Sequence, residues 1–219
     1  MAGLLHRIAT VPRPACLPGF EGVQRYWDPA TERWTAKILP GEYYVTRSQE
    51  AISTVLGSCI AACMRDPELQ VGGMNHFMLP EEGAGGGSGS WSVAEGGAST
   101  RYGSYAMESL INGLLKLGAR RERLEVKLFG GGRILASMTD VGNRNIAFAV
   151  EYLRHEGLKV AAQDVGDIYP RRVLYFPESG RVLVKRLRAV DGTVVASRES
   201  NYRASLDVQT AGNDVELFG

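Results

Sequence analysis

Long apolar runs, cysteine, and an excess of charge of either sign are all scarce in this sequence of 219 residues. The longest uncharged stretch in its apolar middle runs from Ala51 to Met64. That falls well short of the roughly 20 residues a membrane-spanning helix needs, so no membrane insertion is expected. Lys and Arg number 25 against 24 Asp and Glu, and the basic residues form no block. This argues against a nucleic-acid partner, whose phosphates would have to be neutralised by clustered cations. Three cysteines, Cys16, Cys59 and Cys63, are too few for a disulfide framework and read as thiols of a reducing compartment. Pro12, Pro14 and Pro18 interrupt the segment where an export signal would need an unbroken apolar run, so a cytoplasmic location is expected. A chain of this length buries about 70% of its unfolded surface and needs no structural metal.

Glycine is abundant instead, at 27 residues, and it punctuates the pattern. Residues 1 to 35 mix Pro, Gly, Trp and charge without period and read as an N-terminal extension. From residue 36 short β-prone runs follow one another: 37–39, 43–46, 51–55, 58–65 and 71–79. Residues 83–97 hold seven glycines and read as a flexible loop. Met107, Leu110, Ile111, Leu114 and Leu115 recur at helical spacing, with Gly118 as the stop. Residues 124–129 read as a strand. A second helix is expected from Asn143 to Glu156, capped by Asp140 and stopped by Gly157. Strands at 172–176 and 181–187 flank a turn at Pro177 to Gly180. Beyond residue 188 the chain reads as a polar C-terminal tail. The expected fold is α+β, a mixed or antiparallel β core with two main helices, confined to residues 36–188.

The chemistry concentrates between Leu56 and Pro80. A hairpin turning over Asp66 to Leu69, with Asp first and Pro second as a type I turn prefers, places Cys59 directly opposite His76. Opposed Cβ atoms lie about 5 Å apart, within reach for a thiol and an imidazole. That is a nucleophile and base, and an imidazole neighbour favours the reactive thiolate. Amides around Ser58 and Cys59 are placed to stabilise an oxyanion. A free cysteine is more often core than catalyst, and Cys63, which opposes only a glycine, stays in that class with Cys16. Cys59, Cys63 and His76 could hold zinc, but the usual knuckle spacing and a fourth ligand are missing. His6 and His155 lack partners, and the Gly130 to Gly132 run reads as a tight turn.

The blocks Leu56-Gly57-Ser58-Cys59, Gly72 to Pro80, Arg101-Tyr102-Gly103, Lys127 to Gly131 and Gly142-Asn143-Arg144-Asn145 occur in an order that resembles the chemoreceptor glutamine deamidase family, CheD, from about Lys37 to Leu187. The resemblance implies hydrolysis of glutamine side chains on methyl-accepting chemoreceptors, with Cys59 as nucleophile, His76 as base and no cofactor. It also implies an α+β fold akin to the cytotoxic-necrotising-factor deamidases, and a CheC-type phosphatase as a further partner. The family's third polar residue is a threonine six positions before the cysteine. Ser53 holds that position here, with Thr54 one step nearer, and both the spacing and odd-even counting from Cys59 favour Ser53 as the catalytic hydroxyl. The segment Asp164 to Ile168 departs from an expected double glycine. Two competing readings are a thiol hydrolase acting on receptor methyl esters and a non-catalytic chemotaxis adaptor.

Overall fold

The structure, a computed structural model, describes residues 11–80, 98–134 and 141–211. Among the described residues ten strands form two five-stranded sheets. The first contains β1 (Gln24–Asp28), β2 (Arg33–Lys37), β4 (Ala51–Leu56), β9 (Arg171–Phe176) and β10 (Arg181–Arg186), in the order β1-β2-β4-β9-β10. The second contains β3 (Tyr43–Thr46), β5 (Ile60–Asp66), β6 (Val71–Asn75), β7 (Glu125–Gly130) and β8 (Val160–Val165), in the order β3-β6-β5-β7-β8. Of these strand pairs, β2 with β4 and β7 with β8 run parallel and the rest antiparallel. Three helices complete the described chain: α1 (Ala98–Lys116), α2 (Val141–His155) and α3 (Ala189–Ala211). None is long and apolar enough to cross a membrane.

Strand β5 explains the layering. Because successive side chains alternate between faces, Ala61 and Cys63 join Cys59 on one side, while Ile60, Ala62 and Met64 lie on the other. The first set packs with Ile52, Leu56, Met74, Val173 and Tyr175 in the core between the sheets. The second set packs with Met107, Leu110, Leu114, Phe148 and Leu153 of α1 and α2. A strand buried on both faces must be apolar throughout, which is why Ala51 to Met64 reads as a continuous run. Gly118 stands at φ +91° just beyond α1 and Gly157 at φ +68° just beyond α2, as helix stops do.

Four expectations are corrected. The described residues hold three main helices rather than two, because residues 189–211 form α3 instead of a loose tail. Its buried positions, Gly192, Val195, Ala196, Glu199 and Leu206, form one stripe at helical spacing. The N-terminal segment contributes β1 and part of β2, and Arg25 anchors it through the buried carboxylate of Glu50 at 3.0 Å. An edge strand, β8, has three exposed residues in a row, so it lacks the alternation by which strands are read. Finally, the β5–β6 register pairs Cys63 with Met74 and Asp66 with Val71, two residues away from the expected pairing. The isolated bridge from Ile60 to Phe77 follows the same register. Asp66 Oδ1 does accept from the amides of Glu68 and Leu69, as the turn chemistry requires. The loop, however, holds four residues and ends at Gln70 with φ +54°. A two-residue slip preserves faces, so Cys59 and His76 remain on the same side but are diagonal rather than opposed. The glycine-rich loop at 83–97 and Asp140 lie outside the described residues.

Left-handed backbone costs an ordinary residue about 1 kcal/mol and a β-branched one more. Gln70→Val should therefore lower stability in urea by about 1–2 kcal/mol. Gln70→Gly should hold or raise it. Equal midpoints for the two variants would show that the turn does not fix the register.

Candidate active site

The chain leaves the first sheet at Leu56 and enters the second at Ile60, so Gly57, Ser58 and Cys59 form a crossing between sheets. All three of their carbonyls are held from outside: Gly132 N donates to Gly57 O at 2.6 Å and Gly131 N to Cys59 O at 2.7 Å. Asn145 Nδ2 donates to Ser58 O at 2.8 Å. Turning the carbonyls one way turns the amides the other, and the three N–H groups converge on one point. That point holds a carboxylate. Glu199, on the buried stripe of α3, accepts from Gly57 N at 2.7 Å, Ser58 N at 2.7 Å and Cys59 N at 3.2 Å. Ser58 Oγ also donates to it at 2.7 Å. Successive amides aimed at one spot make an anion-binding nest. A Cβ at Gly57 would crowd Ile134 Cδ1 and come within 2.8 Å of Glu199 Oε2, so a larger residue there would push both side chains aside.

Cys59 and His76 are both buried, and Cys59 Sγ, a ring nitrogen of His76 and a Glu199 oxygen lie within 4.8 Å of one another. His76 leaves the end of β6 with its backbone tied to Glu42 O and Gly41 N. Its Nδ1 lies 2.7 Å from Thr54 Oγ1, while Thr54 donates its only proton to Ile38 O at 2.9 Å. The Thr54 oxygen can therefore only accept, which puts the imidazole proton on Nδ1. Nε2 is left as a bare base with no hydrogen-bond partner among the described residues.

This corrects the expected hydroxyl. Ser53 Oγ lies 3.5 Å from Tyr26 Oη, in a cleft lined by Gln24, Lys37 and Arg172, and does not meet His76. Odd-even counting fails because β4 and β5 belong to different sheets. The sequence reading also missed Asn145, whose Oδ1 accepts from Leu79 N at 2.9 Å and so ties the stretch after His76 to the Cys59 crossing. Its only signal was membership of the Gly142 to Asn145 block. Glu199 left no signal short of the helical stripe around it.

Burial, followed by the Glu199 carboxylate, pushes the Cys59 thiol well above its ordinary range. Burial pulls His76 down to about 3. With α3 in place the pair is a neutral thiol and a neutral imidazole, not an ion pair. Cys63 is buried too, and its thiol is raised by burial, with no imidazole grouped with it among the described residues. Among the described residues, Cys59, His76 and Glu199 are the one group of three that could hold a metal ion, and Cys63 is not part of it. Both Glu199 oxygens, however, are already taken by N–H and O–H donors.

A family model, CheD chemotactic sensory transduction, matches residues 78–186. A Halorhodospira halophila protein named "Probable chemoreceptor glutamine deamidase CheD" is 55% identical over 94% of this chain and 94% of its own. Relatives carrying the same name in Hydrogenovibrio crunogenus and Saccharophagus degradans are 54% and 46% identical, over 90% and 100% of this chain and all of theirs. The chain belongs to the CheD family. The family model begins just past His76, while the alignments to these CheD relatives reach across the Cys59 crossing as well. Where a double glycine was expected, Gly166 and Asp167 take φ +78° and +69°. Both residues are left-handed, and aspartate is among the few side chains that tolerate this.

The His76 environment has a consequence for stability. Its pKa is about 6.5 when unfolded and about 3 when folded, so between these values the unfolded chain binds the extra proton. This contribution is fully present above pH 6.5 and is lost as the pH falls towards 3. In urea titrations, His76→Gln should lose less stability than wild type across that window. Parallel losses in the two proteins would show that His76 is not held neutral.

Proposed function

We propose that this protein hydrolyses glutamine side chains to glutamate on methyl-accepting chemoreceptors, using Cys59 as nucleophile and His76 as base. The observation that carries the reading is a glutamyl carboxylate held by three backbone amides beside a buried thiol and imidazole. The product of the reaction is the same chemical group. The names of the CheD relatives add the substrate class. A CheC-type phosphatase partner and kinship with the cytotoxic-necrotising-factor fold belong to the same reading through the resemblance alone.

A carboxamide oxygen in the nest puts its carbon before Cys59 Sγ. As the sulfur attacks, the thiol proton passes to His76 Nε2 and negative charge develops on the oxygen facing the amides of Gly57, Ser58 and Cys59. His76 returns the proton to the departing ammonia, leaving a thioester. The imidazole next takes a proton from water, whose oxygen attacks the thioester carbon, and Cys59 leaves with that proton as glutamate is released. Thr54 keeps the Nδ1 proton in place throughout, so Nε2 is always the atom that exchanges protons. Because the thiol starts neutral, proton transfer and attack are coupled.

Receptor cytoplasmic fragments incubated with the protein and analysed by mass spectrometry test this reading. Deamidation replaces an amide nitrogen by oxygen, ester hydrolysis removes a methylene's mass, and a pure adaptor leaves the mass unchanged. Cys59→Ala should abolish conversion, and Cys63→Ala should retain it. Thr54→Val should lower kcat by about 10²-fold, within the range that a positioned general base contributes. Ser53→Ala should leave kcat near wild type. A rate loss confined to Ser53→Ala would overturn the tautomer argument.

A further inference from the structure

A carboxylate on the buried stripe of an amphipathic helix needs an explanation. Glu199 is 2% exposed, and its neighbours on the stripe, Val195 at 7%, Ala196 at 3% and Leu206 at 3%, are apolar. A lone buried carboxylate is strongly disfavoured, so this one exists because its partners are matched to it. Those partners are the nest amides beside Cys59, which belong to the reaction centre rather than to any scaffold network. The rest of the stripe reaches outward from the site. Tyr202 hydrogen-bonds through its hydroxyl to Tyr102 of α1. Its ring also lies over Gly41, where an added Cβ would fall 2.6 Å from Tyr202 Oη. The flanking positions Val194, Ser197, Arg198, Ser200 and Asn201 are exposed, so α3 lies over the site with one face in solvent and the other packed inward through Val195, Ala196 and Leu206.

We propose that α3 occupies the seat of the receptor segment, with Glu199 standing in for the glutamate product, and that it holds the enzyme closed until a receptor displaces it. This rests on the deamidase reading. The covered surface then accepts a helix that presents one glutamine from its buried face, with a small residue three positions before it, where Ala196 stands, and an aromatic three positions after it, where Tyr202 meets Tyr102 and Gly41. Occupation by the acid closes the site in three ways. It fills the oxyanion position, it shields Cys59 from larger reagents, and its charge opposes formation of the thiolate.

The test uses the full-length chain as wild type, Glu199→Ala and Glu199→Gln, with folding checked by circular dichroism. Iodoacetamide alkylation of Cys59, which needs no receptor, reads the cover. Glu199→Ala should alkylate roughly tenfold faster or more, as loss of several hydrogen bonds to a charged group predicts. Equal alkylation of Glu199→Ala and wild type overturns the cover, even if receptor glutamines are converted normally. Glu199→Gln, the milder change, tests the seat itself. Its introduced amide sits where a substrate amide would, so mass spectrometry should find it converted back to the acid, and the double variant with Cys59→Ala should not convert. An amide that persists while receptor fragments are processed overturns the product-seat geometry. Faster alkylation of Glu199→Ala with no receptor glutamine converted by any variant would leave the cover standing and overturn the deamidase reading instead.

Discussion

Three consecutive peptide planes must turn their N–H groups to one point, and the rest of the site follows from how that is achieved. Peptide dipoles in a row do not choose such an arrangement unaided, so each carbonyl is fixed from behind by Gly131, Gly132 or Asn145. These anchors come from the loop after β7 and from the start of α2, more than seventy residues from the nest in sequence. They in turn demand close packing. A Cβ at Gly142 would lie 2.5 Å from Gly131 O, so α2 could not approach the loop with any larger residue there. The blocks Leu56 to Cys59, Lys127 to Gly131 and Gly142 to Asn145, separate in the sequence, are parts of a single device.

The second constraint is burial. His76 and Cys59 sit in the core between the sheets, where an ion pair would have to offset the desolvation of both partners. The relay from Ile38 O through Thr54 to His76 Nδ1 achieves the needed polarity without charge, since every donor in it has an acceptor. The cost is a base that binds its proton weakly. A weak base beside a reluctant thiol reacts usefully only where the developing negative charge has its own stabiliser, so the nest and the neutral pair require each other.

The parts of this arrangement that were legible in the sequence are those governed by local rules. The hairpin reading placed Cys59 and His76 on one face, helical spacing found α1 and α2, and Asp66 marked its turn. The register was displaced because Gln70 adopts a left-handed conformation that no residue preference signals. Thr54 was passed over because strand counting assumes a single sheet, and the chain changes sheets at Gly57. The third helix escaped because its stripe is made of Gly192, Val195, Ala196, Glu199 and a single leucine, Leu206, which together carry too little apolar weight to stand out. What makes Glu199 a buried residue is the nest, and the nest is a tertiary object.

The nest also decides which ligand it prefers. Three amides complement a full negative charge better than the oxygen of a neutral carboxamide, which is the arrangement that lowers the barrier for attack. The same preference makes an acid bind more tightly than the amide it came from, so an enzyme of this kind is prone to retain its product. A carboxylate supplied by the chain's own helix exploits that tendency. Tethering gives it a high effective concentration without further contacts, and a substrate amide must displace it using surface remote from the nest. Receptor binding energy along the groove under α3, rather than affinity for the glutamine itself, is what can open the site, and this links the enzyme's selectivity to the length of helix a substrate can lay down.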